Sequence, residues 1–413
     1  MGLTETPMPA DGATPVVSAF YDRFPYPGDP LQDGPPPGYN WRWSVDDAAA
    51  FVHGWLPPAP RAWRILDAGC GTGVSTDYLC HLNPGSTVLA VDISGGALAV
   101  ARERTARSGA AAVAGSLRIE QRSLLALDGE GPFDYINSVG VLHHLERPEA
   151  GLAALAGLLA EGGLLHLFLY ADGGRGEIHR TQQALSLLGA GHGADGLRLG
   201  RRLFTDLPID NRLRRHHEQR WALDTAADAN FADMYLHPQE TSYNLERLFR
   251  LIDTAGLAFA GFSNPQVWQP DRLLQGDLLD RARQLPWRQR LALVEALDPE
   301  ISHFEFFLRR GTPGPVDGPP LLKSLASTGE RSRCLWGWPS TSLLDRDLRP
   351  LAIEAEDRLL LETLEAAPPG TTLAALPLAM EPVERLQRCQ RLQSLGVLLP
   401  VQTAQGSQGL KAL

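Results

Sequence analysis

A carboxylate and three closely spaced glycines near residue 70 have the types and spacing for cofactor chemistry. Asp67 follows a short apolar run, and the glycines come next, at Gly69, Gly71 and Gly73. Glycines at this spacing permit a tight turn and a close approach of the backbone to a ligand. An acid directly before them repels a pyrophosphate and suits a positively charged group. The segment from Ile65 to Leu79 therefore indicates a nucleoside-cofactor loop whose ligand carries positive charge.

A second carboxylate, Asp92, closes the next predicted strand, STVLAVDIS, roughly twenty residues further on, where an acid can accept both hydroxyls of a ribose. The glycine spacing is G-x-G-x-G, whereas a dinucleotide loop has G-x-G-x-x-G. Together these features resemble the first two motifs of class I S-adenosylmethionine-dependent methyltransferases. The resemblance implies S-adenosyl-L-methionine as cofactor, with Asp67 facing the cationic methionine end, and it implies cofactor contacts at Asp67, Gly69, Cys70, Gly71, Gly73, Asp92 and Ile93.

Composition bounds the class of protein. A chain of 413 residues exceeds one ordinary core, so two or more domains are expected. The four cysteines, Cys70, Cys80, Cys334 and Cys389, lack paired metal spacing and predict reduced thiols and no metal. Neither a signal pattern nor an apolar run of spanning length is present, which favours the cytoplasm and no membrane. A formal charge of −10 argues against nucleic acid as a partner.

The elements after Asp92 follow the same family pattern. LRIEQRS is a predicted third strand that ends at Ser123, and Ser123 with Leu124, or the nearby Asp128, would meet the adenine. The fourth strand would end at Asn137, Ser138 and Val139 and line the methyl-transfer centre. Leu164 to Tyr170 would be the buried fifth strand, with apolar residues on both faces as a central parallel strand should have.

Two later runs, Leu257 to Pro265 and Ile301 to Arg310, fit the sixth and seventh strands of the family sheet. The fold class is therefore α/β, a Rossmann-like seven-stranded methyltransferase sheet. Residues 171–256 form a mainly helical insertion after strand 5, which we expect to fold over the open edge as a cap.

A Pro/Gly-rich segment, Gly311 to Pro320, predicts the end of the catalytic domain, so residues 1–312 should fold and bind cofactor alone. The predicted helices beyond it are AEDRLLLETLEAA, TTLAAL and PVERLQRCQRLQSLG, and the predicted strand is LGVLLPV. Three helices and a strand suggest a small winged-helix-like module. Its third helix carries Arg385, Arg388 and Arg391, but six arginines against nine acids from Leu343 to Val401 favour a solvated face over DNA binding. The predicted boundaries are an arm at 1–45, the methyltransferase domain at 46–312, a linker at 313–335 and the module at 336–413.

The string FYDRFPYPG, Phe20 to Gly28, precedes the first strand and could form a rigid lid over the cofactor mouth. With SVGVLHHLERPEAG, LYADGGRGEI and YLHPQETSYNLERLFRLIDTAG it resembles a bacterial methyltransferase group over most of residues 16 to 400. That group includes protein-lysine methyltransferases of outer-membrane-protein type with a C-terminal winged-helix domain, and relatives fused to tetratricopeptide repeats. The resemblance implies a protein acceptor, although this chain carries no such repeats.

Several side chains are candidates for catalysis. His144, after the fourth strand, could remove a proton from a nucleophile, or it could pack against the cofactor beside His143. Tyr26, Asp233 and Tyr243, with Tyr21 and His237, could hold a methyl-accepting amine by cation–π contact and hydrogen bonding, or they could be ordinary packing residues of the cap.

The sequence thus predicts an S-adenosylmethionine-dependent methyltransferase that acts on nitrogen of a protein or peptide side chain. The alternatives are a small-molecule O- or N-methyltransferase and a non-catalytic, cofactor-binding regulatory protein. The glycine spacing and Asp67 disfavour a nicotinamide oxidoreductase. Whether the chain forms a homodimer stays open.

Overall fold

The computed structural model describes residues 14–310 and 321–401. Its main feature is a seven-stranded sheet in the order β3-β2-β1-β4-β5-β7-β6, in which β7 runs opposite to the other six strands. The predicted fold class, including the positions of the last two strands, is confirmed. The strands are β1 (Arg64–Ala68), β2 (Thr87–Asp92), β3 (Ser116–Gln121), β4 (Phe133–Val139), β5 (Leu159–Tyr170), β6 (Ala258–Phe262) and β7 (His303–Arg309).

Helices cover both faces of the sheet and build the additional parts of the molecule. In chain order they are α1 (Thr14–Arg23), α2 (Val45–His53), α3 (Val74–Leu82), α4 (Gly95–Ser108), α5 (Ala110–Val113), α6 (Pro148–Leu158), α7 (Gly176–Leu187), α8 (Ala194–Asp206), α9 (Arg212–His216), α10 (Asp228–Leu236), α11 (Leu245–Thr254), α12 (Gly276–Arg283), α13 (Trp287–Leu297), α14 (Ala355–Ala366) and α15 (Pro382–Ser394). Within the described residues, none of these helices has both the length and the apolar character for crossing a membrane.

The core has two halves because successive strand residues point to opposite faces. Leu66 and Leu165 lie in the half that also contains α6 and α11. Ile65 and Leu164, one residue earlier on the same strands, lie in the half that contains α2. All four side chains are buried, and each such burial contributes about 1.5–3 kcal/mol.

The predicted cap divides into two parts. Helices α7, α8 and α10 share a cluster with α1 that includes Phe20, Phe24, Phe204 and Phe231. In this cluster the ring of Phe20 contacts that of Phe24, and the ring of Phe204 contacts that of Phe231. Helix α11 instead packs on the sheet, because its apolar face, which includes Leu248, joins the sheet core. The cap is therefore shorter than the predicted 171–256, and the N-terminal arm is part of it.

The C-terminal module contains two small antiparallel pairs as well as α14 and α15. Strand β8 (Thr328–Arg331) pairs with β11 (Leu398–Val401), and β9 (Ser342–Leu344) pairs with β10 (Pro350–Ala352). The predicted linker is thus partly wrong, since β8 lies inside 313–335 and forms part of the module. The segment Gly311 to Pro320 lies outside the described residues.

Another correction concerns TTLAAL, the predicted second helix of the module, which forms a turn. The reason is Arg385, whose buried guanidinium donates to the carbonyls of Leu373 and Leu376. Arg388 and Arg391 both contact Asp357. The arginines of α15 are therefore engaged by protein groups.

Candidate active site

A cavity of about 230 Å³ lies at the carboxyl ends of β1, β2 and β4, the edge at which open α/β sheets bind ligands. The N-terminal arm, the glycine loop and the segments that follow β2, β3 and β4 form its walls. Its apolar surface exceeds its polar surface, as a site for an adenine ring and a methyl group requires. The residues that line it include Val17, Tyr21, Tyr26, Pro27, Trp43, Gly69, Cys70, Gly71, Ser75, Asp92, Ile93, Arg122, Ser123, Leu124, Val139, Val141 and His144.

The glycine loop needs its glycines for close packing. Gly71 has φ +53°, and a Cβ atom there would lie 2.3 Å from the carbonyl oxygen of Tyr26. Gly73 does not line the cavity. It precedes α3 with φ +80°, and a Cβ atom there would lie 2.8 Å from that of Ala101 on α4. Gly71 therefore lets the arm close over the loop, whereas Gly73 lets the two helices meet.

Asp92 lies where the sequence placed it, at the end of β2 and in the cavity wall. Its Oδ2 accepts the backbone N–H of Gly71 at 2.8 Å, and its Oδ1 accepts that of Ser94 at 2.9 Å. Each carboxylate oxygen keeps a further lone pair. The residue is thus held in place by the loop and can still accept the two hydroxyls of a ribose.

Asp67 is placed differently from the expectation. It is buried and does not line the cavity, because its oxygens accept hydrogen bonds from Ser75 at 2.7 Å, Thr76 at 2.6 Å and Asn137 at 2.8 Å. Asn137 and Ser138 likewise lie behind the wall, and Ser138 donates to a carbonyl of β1. Asp67 therefore fixes the start of α3 and the end of β4.

The segment after β3 provides the other end of the cavity. Ser123 and Leu124 line it together with Arg122, whereas Asp128 does not. The Ser123 hydroxyl accepts the N–H of Leu125 at 3.2 Å and keeps its own hydrogen for a ligand. Of the two adenine contacts offered by the sequence, Ser123 is the one in position.

Replacement of Asp92 by alanine is expected to weaken the binding of S-adenosylhomocysteine by about 1–3 kcal/mol, because the ribose hydroxyls lose their acceptor. Titration calorimetry measures the change directly. Asp128→Ala is the matched control and should retain the affinity of the unaltered protein. An Asp92→Ala protein with unchanged affinity would contradict this assignment.

The N-terminal arm is tied to the loop by main-chain contacts. The Thr72 N–H donates to the Tyr26 carbonyl at 3.0 Å, and the Thr72 hydroxyl donates to the Pro27 carbonyl at 2.7 Å. Asp22 accepts hydrogen bonds from Ser94 and Gly96 at the start of α4. These contacts hold Tyr26 in the cavity wall.

His144 lines the cavity with one ring nitrogen fixed by the cap. Its Nδ1 lies 2.8 Å from the carbonyl oxygen of Gln239. A carbonyl can only accept, so Nδ1 carries a hydrogen and Nε2 of the neutral ring is a proton acceptor. The ring of His237 packs against it with 3.7 Å between centroids.

Asp233 lies behind this wall as a buried carboxylate. Its oxygens accept the hydroxyls of Tyr21 at 2.8 Å and Tyr170 at 3.3 Å. Arg175 forms its ion pair with Glu240, so within residues 14–310 and 321–401 Asp233 has no cationic ion-pair partner. Burial is the main cause that raises the pKa of Asp233, and the hydrogen bond from Tyr21 opposes the shift.

The structure does not bring Tyr243 to this cluster. Its ring is buried in the sheet core with Leu245 and Leu248, and Arg247 lies over it. Tyr170 takes the place expected for it. Tyr170 could have been found from the sequence, because it ends the predicted fifth strand. No sequence pattern pointed to Trp43 or to the backbone of Gln239.

A ring nitrogen of His144, one of His237 and an oxygen of Asp233 lie within 4.8 Å of one another and could each offer a ligand to a metal. The backbone N–H of Gln239, however, donates to Nδ1 of His237 at 3.1 Å, so the hydrogen of the neutral ring sits on Nε2. Metal binding by His237 would require that bond to break or the ring to lose both protons. The hydrogen bonding therefore favours proton chemistry over metal chemistry.

Comparisons with known proteins agree with the fold and the cavity. A family profile described as "Methyltransferase domain" matches residues 66–165, which run from β1 into β5. "Uncharacterized protein syc1184_c" of Synechococcus sp. is 52% identical over 358 residues, which cover 85% of each chain. "Uncharacterized phycocyanin operon protein W" of Pseudanabaena tenuis is 54% identical over 93 residues, 22% of this chain and 87% of that protein.

Among solved structures, PKMT2 from Rickettsia typhi has the same fold, with a TM-score of 0.59 and 16% identity over 90% of this chain and 78% of that one. The chain belongs to the class I S-adenosylmethionine-dependent methyltransferases, in one family with the Synechococcus protein. Its cofactor is S-adenosyl-L-methionine.

Proposed function

We propose that this methyltransferase transfers the methyl group to a nitrogen of a protein or peptide side chain. The observation that carries the proposal is the group of His144, Tyr21 and Tyr26 in the cavity wall, with the carboxylate of Asp233 directly behind it. It offers a proton acceptor, aromatic faces and an unpaired negative charge at one place.

S-adenosylmethionine, when bound, supplies a methyl group on a positively charged sulfur. Asp92, Ser123, Gly69 and Gly71 would hold its nucleoside, and the arm would exclude water from the methyl group. Methyl transfer then requires a nitrogen nucleophile that is aligned with the methyl group and has its lone pair free. An amine arrives protonated at neutral pH, and His144 would take that proton on Nε2, since its Nδ1 is engaged by the Gln239 carbonyl.

The surroundings of the acceptor suit a cation. Tyr21 and Tyr26 lie with 6.4 Å between ring centroids and both face the cavity, so an ammonium group between them gains cation–π attraction. The charge of Asp233 acts on the same point through the Tyr21 hydroxyl. A methylated amine remains cationic, so the same groups hold substrate and product.

Two observations support a macromolecular acceptor. The motifs of the arm, cap and module follow the order of a group that contains protein-lysine methyltransferases. In addition, one relative is named for the phycocyanin operon, which makes phycocyanin subunits the first protein acceptors to examine.

Transfer of a labelled methyl group tests the proposal. Purified enzyme and labelled S-adenosylmethionine are incubated with phycocyanin subunits, a total protein fraction and a small-molecule extract, each separately. We expect label in protein that survives mild base, which cleaves methyl esters, and much less label with Asp92→Ala enzyme at a cofactor concentration below saturation. Label confined to small molecules, or base-labile label in protein, would refute N-methylation of a protein side chain.

A further inference from the structure

A row of buried polar side chains crosses the sheet next to the cofactor site. Asp67 on β1, Asn137 on β4 and His166 on β5 are register partners. The Asn137 amide donates to Asp67 at 2.8 Å, and its oxygen lies 2.9 Å from Nδ1 of His166, which must donate because an amide oxygen only accepts. Nε2 of His166 is 3.4 Å from a carboxylate oxygen of Glu305 on β7.

Glu305 is the last residue of the row, and it is connected to the C-terminal module by Arg42. Its Nε lies 2.5 Å from Oε2 of Glu305, and its terminal nitrogen lies 3.4 Å from Oδ1 of Asp347 in the module. Burial opposes the charge of Glu305, but the hydrogen bond from His166 and the charges of His166 and Arg42 hold the pKa of Glu305 at about 2. Arg42 therefore bridges two carboxylates that belong to different parts of the chain.

The residues beside Arg42 make a second connection between the C-terminal module and the cofactor cavity. Trp41 donates its indole N–H to Asp347 at 3.1 Å, and the Tyr39 hydroxyl donates to the carbonyl of Asp345 at 3.0 Å. Trp43 lines the cofactor cavity and donates to the Asn137 side chain at 3.0 Å. The segment from Tyr39 to Trp43 is thus held by the module on one side and forms part of the cavity on the other.

We propose that the C-terminal module is a positioning element for the cofactor site, with Arg42 as the connecting residue. A buried polar network is stable in one arrangement when every member has its partner, and it loosens when one partner is removed. Loss of the Arg42 contacts would free Glu305 and His166, and with them the orientation of Asn137, Asp67 and Trp43. The module therefore acts on cofactor affinity without a residue of its own in the cavity lining.

Full-length Arg42→Gln protein tests this role. The dissociation constant for S-adenosylhomocysteine should rise about tenfold, and KM for the cofactor should rise with it, while kcat at saturating cofactor stays within about threefold. Arg42→Lys should restore part of the affinity, since an ammonium can pair with one carboxylate but cannot bridge two as a guanidinium does. Titration calorimetry gives the affinity without any acceptor, so the result does not depend on the proposed acceptor.

Glu330→Gln is the matched control, because it removes a contact between the module and Arg61, 2.5 Å long, that does not touch the row. It should leave cofactor affinity unchanged. If Arg42→Gln does not fold, Asp347→Asn tests the same link from the module side and should weaken cofactor binding severalfold. Unchanged affinity in the Arg42 or Asp347 variant, an equal loss in Glu330→Gln, or a loss of kcat at unchanged affinity would each overturn the proposal.

Discussion

A His144→Gln enzyme is expected to bind S-adenosylhomocysteine with nearly unchanged affinity while its kcat falls about 10²- to 10⁴-fold, the range for loss of a positioned general base. Glutamine can still donate to the Gln239 carbonyl, but its amide does not take a proton at neutral pH. Calorimetry and steady-state kinetics with the identified acceptor give the two quantities.

The matched control is His192→Gln. His192 makes the same kind of contact, with its Nδ1 2.7 Å from the Leu236 carbonyl, but it does not line the cavity. It should keep full activity. A His144→Gln enzyme with more than about a tenth of the normal kcat would show that no general base acts at this position.

An Asp233→Asn enzyme is expected to lose activity about 10- to 100-fold, because the acceptor loses the negative charge that attracts it, whereas cofactor affinity changes little. The same enzyme should unfold at a slightly higher temperature at neutral pH. An amide can accept from Tyr21 and donate to Tyr170, so it replaces the carboxylate without the cost of burying a charge without an ionic partner.

The direction in which the stability of the Asp233→Asn protein changes with pH follows from the pKa of Asp233. The folded-state pKa of Asp233 is raised above its unfolded value, so the carboxyl favours folding below the unfolded pKa and loses that contribution as the pH rises through the folded pKa. The stability advantage of Asp233→Asn should therefore be present at pH 7–8 and vanish below the unfolded-state pKa of an aspartate, near pH 4. Melting temperatures at both pH values measure it.

Tyr243→Phe is the control for Asp233, because the structure places that ring in the sheet core. It should retain activity. If Asp233→Asn kept full turnover, or if it were destabilised equally at both pH values, Asp233 would be a packing residue of the cap.

The class of protein followed from the sequence because its signals are local. Gly69 and Gly71 lie in the turn that follows β1, and Asp92 ends the next strand, so backbone geometry over so short a distance leaves little freedom. The apolar run of β5 likewise predicted a buried strand, since a central strand is apolar on both faces, and the strand character of two later runs predicted β6 and β7.

The roles of single polar side chains were decided by tertiary contacts. Asp67 has the expected position, yet its oxygens are taken by Ser75, Thr76 and Asn137. The sequence pointed to Tyr243, but Tyr170 is the one of these two tyrosines that reaches Asp233. The contacts of Asp67 with Asn137 and of Tyr170 with Asp233 join side chains more than sixty residues apart, and periodicity does not describe such pairs.

The relation between the two ends of the chain was also decided by the tertiary structure. A Pro/Gly-rich segment predicted an independent module, but Leu399 and Val401 of β11 are buried with Trp41 and Val45 in one core, and Asp347 reaches Arg42. Composition marks where a chain can change direction, and it carries no information about the surface on which the later segment packs. The shape and charge of residues about 300 positions earlier determine that surface. These residues come together only in the folded protein.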